Sequence, residues 1–219
     1  MAEKLNRGVI ARAGLRLLDS TGIEGITMRA LAAELGVQAP TLYWHVKSKQ
    51  DLFRAMAAAM SEDAAALMTA ADRRAPWREC IGGWARALRR TLLSHRDGAR
   101  VFAGTFAADP ASLDVIESVL DAWREAGVST ADAAQRTALL RTFIVGFCIE
   151  EQALAKLRCE SSNGQLEEMK TLVDPARFPL TAQAFPAILT TSADDRFELG
   201  LRLMLSVTTT ADDRDHSDR

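Results

Sequence analysis

Residues 27–47 read TMRALAAELGVQAPTLYWHVK, and this stretch decides the fold. Thr27 is suited to cap a helix over Met28–Leu35, which Gly36 then stops. Leu31 and Leu35 give that helix an inward face, and Ala32 is small where two helices must cross closely. Gly36-Val37 makes a tight turn, and Pro40 fits the first turn of a second, very short helix because its missing N–H costs nothing there. Leu42 and Val46 anchor this helix from behind. The spacing predicts a helix-turn-helix. The outer face of the second helix then offers Gln38, Thr41, Tyr43, Trp44 and His45, followed by Lys47 and Lys49.

Helical periodicity continues on both sides. Val9, Ile10, Ala13, Leu17 and Leu18 share one face of a first helix that ends before Gly22. Ser48 with Asp51 resembles a capping box and opens a long helix toward Ala70. A linker, ADRRA, precedes Pro76. Further helices are expected from Trp77 to about Ser94, from Pro110 to Ala126, from Thr130 to about Leu157, near 182–190 and over 193–209. Residues 159–181 are polar, carry Gly164, Pro175 and Pro179, and read as a loop. No internal repeat and no alternating strand pattern occurs. The expected fold is all-α. Its expected division is a helix-turn-helix domain over 1–50, a second helical domain over 51–210, and a frayed tail over 211–219.

The composition narrows the class. The chain has 219 residues, 48% hydrophobic and 26% charged, as in ordinary globular proteins. No apolar run is long enough to span a bilayer, and MAEKLNRG has no signal-peptide character. Cys80, Cys148 and Cys159 form no CxxC pair; they read as free thiols of a cytoplasmic protein with no metal or other cofactor. The net charge of −2 hides a split. Residues 1–54 carry eight Lys/Arg and five Asp/Glu, a net +3, so the remainder carries −5. A basic N-terminal unit precedes an acidic body.

The short helix has the chemistry of a DNA reader. Gln and Thr hydrogen-bond base edges, and apolar groups touch thymine methyls. Tyr43, His45 and Lys49 suit phosphate oxygens. The plain alternative is a helical corner with exposed aromatics, which leaves the adjacent Tyr and Trp without a reason to be exposed.

The segment GIEGITMRALAAELGVQAPTLYWHVKSKQDL resembles the DNA-binding domain of the tetracycline-repressor family of regulators, above all its tetracycline-binding members. LLSHRDGARVFAGTF (92–106) and GFCIEEQ (146–152) resemble segments of the family's effector core. The resemblance implies a homodimer with a three-helix head on each subunit, an effector-binding core, and a four-helix bundle between partners. It places Arg29, Gln38, Pro40, Thr41, Tyr43, Trp44, His45 and Lys49 at DNA-contact positions on an operator, and Thr27, Ala39 and Lys47 complete the expected DNA surface. Ala39 departs from the pattern: tetracycline-binding members carry a base-reading glutamine there, so a different operator is expected. The stretch Ser94–Ala99 would sit beneath the head and pass on movement of the pocket, with Gly98 as its pivot.

The effector pocket departs further. Tetracycline-binding members hold a magnesium chelate with histidines, an asparagine, an arginine and a glutamine. Those positions fall here on Ala65, Trp84, Phe102, Phe106, Val119 and Thr142, and the magnesium-binding histidine becomes Phe102. A phenyl ring provides no ligand to a hard cation. The expected pocket, lined also by Met68, Leu88, Phe143 and Phe147, suits a largely apolar small molecule and not magnesium-tetracycline. The alternative is that these aromatics simply fill the core. Glu150 either contacts an effector or pairs with Arg141 or Arg136.

Two rival classes remain. Glu150-Glu151 would suit an enzyme, but there is no ExxH partner, and the three histidines, His45, His95 and His216, are scattered. The other rival is a helix-turn-helix regulator, an activator or one controlled by a protein partner, without a small-molecule effector.

Overall fold

The computed structural model describes residues 5–105, 110–160 and 172–206, and these form helices and turns with no strand. Ten α-helices occur among the described residues: α1 (Arg7–Thr21), α2 (Met28–Leu35), α3 (Ala39–Tyr43), α4 (Lys49–Ala66), α5 (Trp77–Leu93), α6 (Gly98–Phe102), α7 (Pro110–Glu125), α8 (Thr130–Glu160), α9 (Pro179–Thr190) and α10 (Ala193–Met204). None of the described helices is long and apolar enough to cross a membrane.

The helix ends follow side-chain chemistry. The Asn6 side chain accepts the Val9 N–H at 2.9 Å and opens α1. Ser48 Oγ accepts the Asp51 N–H at 3.0 Å and opens α4. That helix stops at Ala66, short of the expected Ala70. Asp72 Oδ2 accepts both the N–H and the hydroxyl of Thr69, at 2.8 and 2.7 Å, and this local bonding competes with helix continuation. The expected linker accordingly contains a 3₁₀ turn, Asp72–Arg74. Helix α6 was not foreseen: it starts at Gly98, within the stretch Ser94–Ala99 expected to pass on movement of the pocket. Helix α8 runs to Glu160, beyond the expected Leu157, and α9 starts earlier than expected, at Pro179, a residue suited to a first turn. Residues 161–171 of the expected loop, residues 207–209 of the last expected helix, and the tail lie outside the described residues.

The backbone separates into two compact units, Met1–Ile149 with Val207–Arg219, and Glu150–Ser206. In the first, α1 crosses α4 closely. A Cβ on Gly14 would stand 2.9 Å from Met56 Sδ, so glycine permits the approach. Ile10, Leu18, Leu31, Leu42, Val46, Leu52, Met56 and Met60 are fully buried around that crossing and the helix-turn-helix. Each such side chain contributes about 1.5–3 kcal/mol of burial. Farther along the same unit, Ile81, Leu92, Val119 and Ile144 are fully buried and Trp123 nearly so. In the second unit Phe197, Leu201 and Leu205 are buried along one face of α10 and its end, while Leu199 and Leu203, about 200° around the helix, are exposed.

Candidate nucleic-acid interface and cavity

Helices α2 and α3 are fixed by their turn. Thr27 Oγ1 accepts the Ala30 N–H at 3.0 Å. Gly36 sits in the left-handed region at φ 64°, its N–H donating to the Ala33 carbonyl at 3.2 Å, and the Val37 N–H donates to the Ala32 carbonyl at 3.0 Å. This paired closure is a Schellman motif, which needs the left-handed residue that glycine supplies. Leu42 and Val46 are fully buried, so α3 cannot rotate without exposing them.

The opposite face of α3 is open. Trp44 is 86% exposed and Tyr43 49%. Thr27, Arg29, Gln38, Pro40, Thr41, Lys47 and Lys49 are exposed around them, with Ala39 and His45 half-buried. All eleven residues expected at a DNA surface thus lie on one short stretch of the fold, and none is fully buried. Lys49 Nζ stands 5.4 Å from the centroid of the Phe53 ring, which restrains the ammonium group beside α3.

A carboxylate expected only as a helix cap holds the far end of α3. Asp51 accepts from Arg7 Nη2 at 2.6 Å and from the Lys47 N–H at 3.0 Å. Arg7 also donates to the His45 carbonyl at 3.1 Å. One arginine–aspartate pair therefore ties the start of α1, the end of α3 and the start of α4. The Arg7 hydrogen bond, foremost, lowers the Asp51 pKa from 3.8 to about 2. Such a depressed pKa stabilises the fold above pH 3.8, and the contribution is lost as the pH falls toward 2. Arg7 is half exposed, so screening reduces the contribution to about 1 kcal/mol. Asp51→Asn is expected to lower unfolding stability by about this amount at pH 7. Urea titrations should find the difference from the parent protein shrinking toward pH 2.

Helix α4 connects this surface to the interior. Its 18 residues span about 27 Å. It starts at Ser48 beside α3, and Ser61, Ala64 and Ala65 near its other end line a cavity of about 120 Å³. Trp84 and Leu88 from α5, Phe102 from α6, Ser112, Val115 and Ile116 from α7, and Arg141 from α8 complete the wall. Of the residues expected there, Ala65, Trp84, Leu88 and Phe102 come together. Met68 and Val119 are buried outside the lining, and Thr142 is exposed. Phe143 and Phe147 are half-buried and face each other at 5.7 Å between ring centroids. Glu150 is exposed and belongs to the second unit. Phe106 lies outside the described residues. Ser61, Ala64, Ser112, Val115, Ile116 and Arg141 were not foreseen. Ser61 and Ala64 share the α4 face of Ala65, the one signal that could have found them.

Arg141 and Arg136 take other partners than Glu150. Arg141 Nη2 donates to the Thr105 carbonyl at 2.7 Å, and Arg136 stands 5.5 Å from the Trp123 ring. Cys80 is buried, and burial raises its thiol pKa, the mark of a structural cysteine. Cys148 is also buried and in no disulfide, and the side chain of Cys159 lies outside the described residues. No group of His, Cys, Asp and Glu suited to a metal occurs among the described residues.

A polar hinge lies between cavity and head. Asp19 of α1 accepts the Arg96 N–H at 3.1 Å and meets His95 Nδ1 at 3.0 Å. Asp97 Oδ2 accepts the Ile23 N–H at 3.0 Å. Arg100 of α6 bridges Glu24 and Asp97, both at 3.3 Å. Asp97 itself has φ 55°, the one non-glycine residue with positive φ among those described. The strained backbone is therefore at Asp97 and not at Gly98. Gly98 instead permits a close approach, since a Cβ there would come within 2.5 Å of the Leu92 carbonyl oxygen.

The known proteins agree with this division of labour. Residues 10–56 match the family model "Bacterial regulatory proteins, tetR family", and residues 70–208 match "Tetracyclin repressor-like, C-terminal domain". The chain is 37% identical to the class A tetracycline repressor protein from transposon 1721 of Escherichia coli, across 92% of this chain and 89% of that protein. It is similar to the Streptomyces coelicolor TetR family protein ActR in complex with actinorhodin (25% identity, TM-score 0.78, covering 92% and 95% of the two chains). It is also similar to BioQ bound to its double-stranded DNA operator (35% identity, TM-score 0.60, covering 72% and 93%). These matches place the chain, with its helix-turn-helix and cavity-bearing helical core, in the tetracycline-repressor family of DNA-binding transcription regulators, which are not enzymes.

Proposed function

We propose that the protein is a cytoplasmic, homodimeric repressor that binds a palindromic operator through α3 and leaves it when a small molecule other than magnesium-tetracycline enters the cavity. The observation that carries this reading is helix α4, which begins beside the exposed α3 and ends in the cavity wall. An occupant that prefers a different α4 position shifts the population away from the spacing that fits successive major grooves. The hydrogen bonds of Asp19 and Asp97 give a second route through α6. A regulator controlled only by a protein partner would need no such cavity.

Dimerisation is supported by α10, which carries exposed Leu199 and Leu203 opposite its buried face, and by exposed Leu154, Phe178 and Leu180 in the same unit. Apolar surface of this kind on a long-helix unit suits a self-complementary contact. Two heads also double the basic surface available to phosphates.

The cavity wall speaks against a magnesium chelate. A hard cation takes oxygen or imidazole ligands, and among the described residues the wall offers neither carboxylate nor imidazole. It presents instead a phenyl ring at Phe102 and a cation at Arg141, which repels a second cation. The residues do not fit the metal. A gel shift on DNA upstream of the protein's own gene, repeated with metabolites and antibiotics, tests the reading. The expected result is a specific shift that at least one compound releases, with no response to micromolar tetracycline whether magnesium is present or absent. Magnesium-dependent release by micromolar tetracycline would overturn the effector part. A shift that is equal on unrelated DNA would overturn the repressor part.

A further inference from the structure

Among the described residues the cavity wall is apolar apart from the hydroxyls of Ser61 and Ser112 and one fixed charge. Arg141 stands on α8 with its guanidinium 5.0 Å from the centroid of the Phe102 ring. One N–H reaches the Thr105 carbonyl at 2.7 Å, which leaves most of its five donors for other use. Elsewhere in the unit, arginines meet carboxylates: Arg7 with Asp51, Arg12 with Asp63, Arg16 with Glu34, Arg100 with Asp97. Arg141 makes no such pair among the described residues. Its half-burial pulls its pKa down, yet a guanidinium stays charged at neutral pH. A charge beside apolar walls is costly until an opposite charge joins it.

We propose that this cavity takes a small aromatic carboxylate, its ring among Trp84, Leu88, Phe102 and Val115 and its anionic group on Arg141. The proposal rests on the sensor reading above and names the chemical class of the effector. The guanidinium fork matches a carboxylate in two parallel hydrogen bonds, a geometry that a carboxamide, with one acceptor oxygen, does not reproduce. The volume is of the order of one ring: the cavity holds about 120 Å³, against about 150 Å³ for an apolar protein cavity that accommodates benzene. Binding also has a mechanical consequence. A carboxylate on the remaining donors draws the cation off Phe102, the last residue of α6. Helix α6 begins beside Asp97, which holds Ile23 of the head.

The test uses the full-length dimer with benzoate and its uncharged isostere benzamide, at matched ionic strength. Calorimetry is expected to find benzoate bound at least about tenfold more tightly than benzamide, since charge-assisted hydrogen bonds are roughly twice as strong as neutral ones. Arg141→Gln should bring benzoate down to the level of benzamide and leave benzamide unchanged. Benzoate should release labelled operator from the parent protein in fluorescence anisotropy. Equal binding of the two compounds to the parent protein would overturn the anion proposal without need of any variant. If both then release the operator, the sensor reading still stands. A preference for benzoate that survives Arg141→Gln, or the absence of binding by either compound at 10 mM, roughly the concentration at which binding worth about 3 kcal/mol is half saturated, would also overturn it. Tight, Arg141-dependent binding of benzoate with no operator release would uphold the site and defeat the sensor reading instead.

Discussion

Trp44→Ala is expected to lower operator affinity by about 100-fold while leaving the thermal midpoint of the protein in place, because each head forfeits a contact of about 1.5 kcal/mol and a dimer forfeits two. The side chain is 86% exposed, so its removal takes almost no packing from the fold. Surface substitutions of this kind change stability by about 0.5 kcal/mol or less. The interior side of α3 is untouched, since Leu42 and Val46 carry its anchoring. Anisotropy titration on operator DNA and differential scanning calorimetry give the two numbers. A midpoint that falls together with affinity would make Trp44 a folding residue and remove the reason to treat this face as the reader.

Phe102→Ala should behave in the opposite way. Phe102 is buried at 4% exposure, and a buried Phe→Ala change costs about 3–5 kcal/mol. For a chain of this length the thermal midpoint should fall by about 6–20 °C. Below the transition the free protein should bind operator within about twofold of the parent, because α3 and its anchors Leu42 and Val46 are untouched and no effector occupies the cavity. Release by an effector should be lost or much weakened, since the ring that meets Arg141 and ends α6 is gone. Operator affinity that drops in proportion to stability at a temperature where the variant is folded would assign Phe102 a structural role only.

The helix-turn-helix was legible in sequence because local chemistry fixes it. Thr27, Gly36 and Pro40 determine where two helices start and stop, and Leu31, Leu42 and Val46 determine which face turns inward. The cavity was half legible. Ala65, Trp84, Leu88 and Phe102 follow from the family resemblance, whereas Val115, Ile116 and Arg141 reach the site only through the packing of α7 and α8, which no local pattern encodes. Thr142 shows the limit of alignment: its neighbour Arg141 faces the cavity, and a step of one residue turns a helical side chain by about 100°. The connector misled for a similar reason. Glycine suggested a pivot at Gly98, but the residue is needed for close approach to Leu92, and the positive φ falls on Asp97.

Repression in this proposal depends on α3 of each subunit reading one half of a palindrome, and on the cavity governing that contact. Hydroxyl-radical footprinting on the DNA upstream of the protein's own gene tests both at once. The expected result is two protected patches whose centres lie about 34–36 Å apart along the duplex, both lost in Trp44→Ala and both lost on addition of the cavity's effector. Uniform protection without half-sites, or a footprint that Trp44→Ala leaves unchanged, would contradict it.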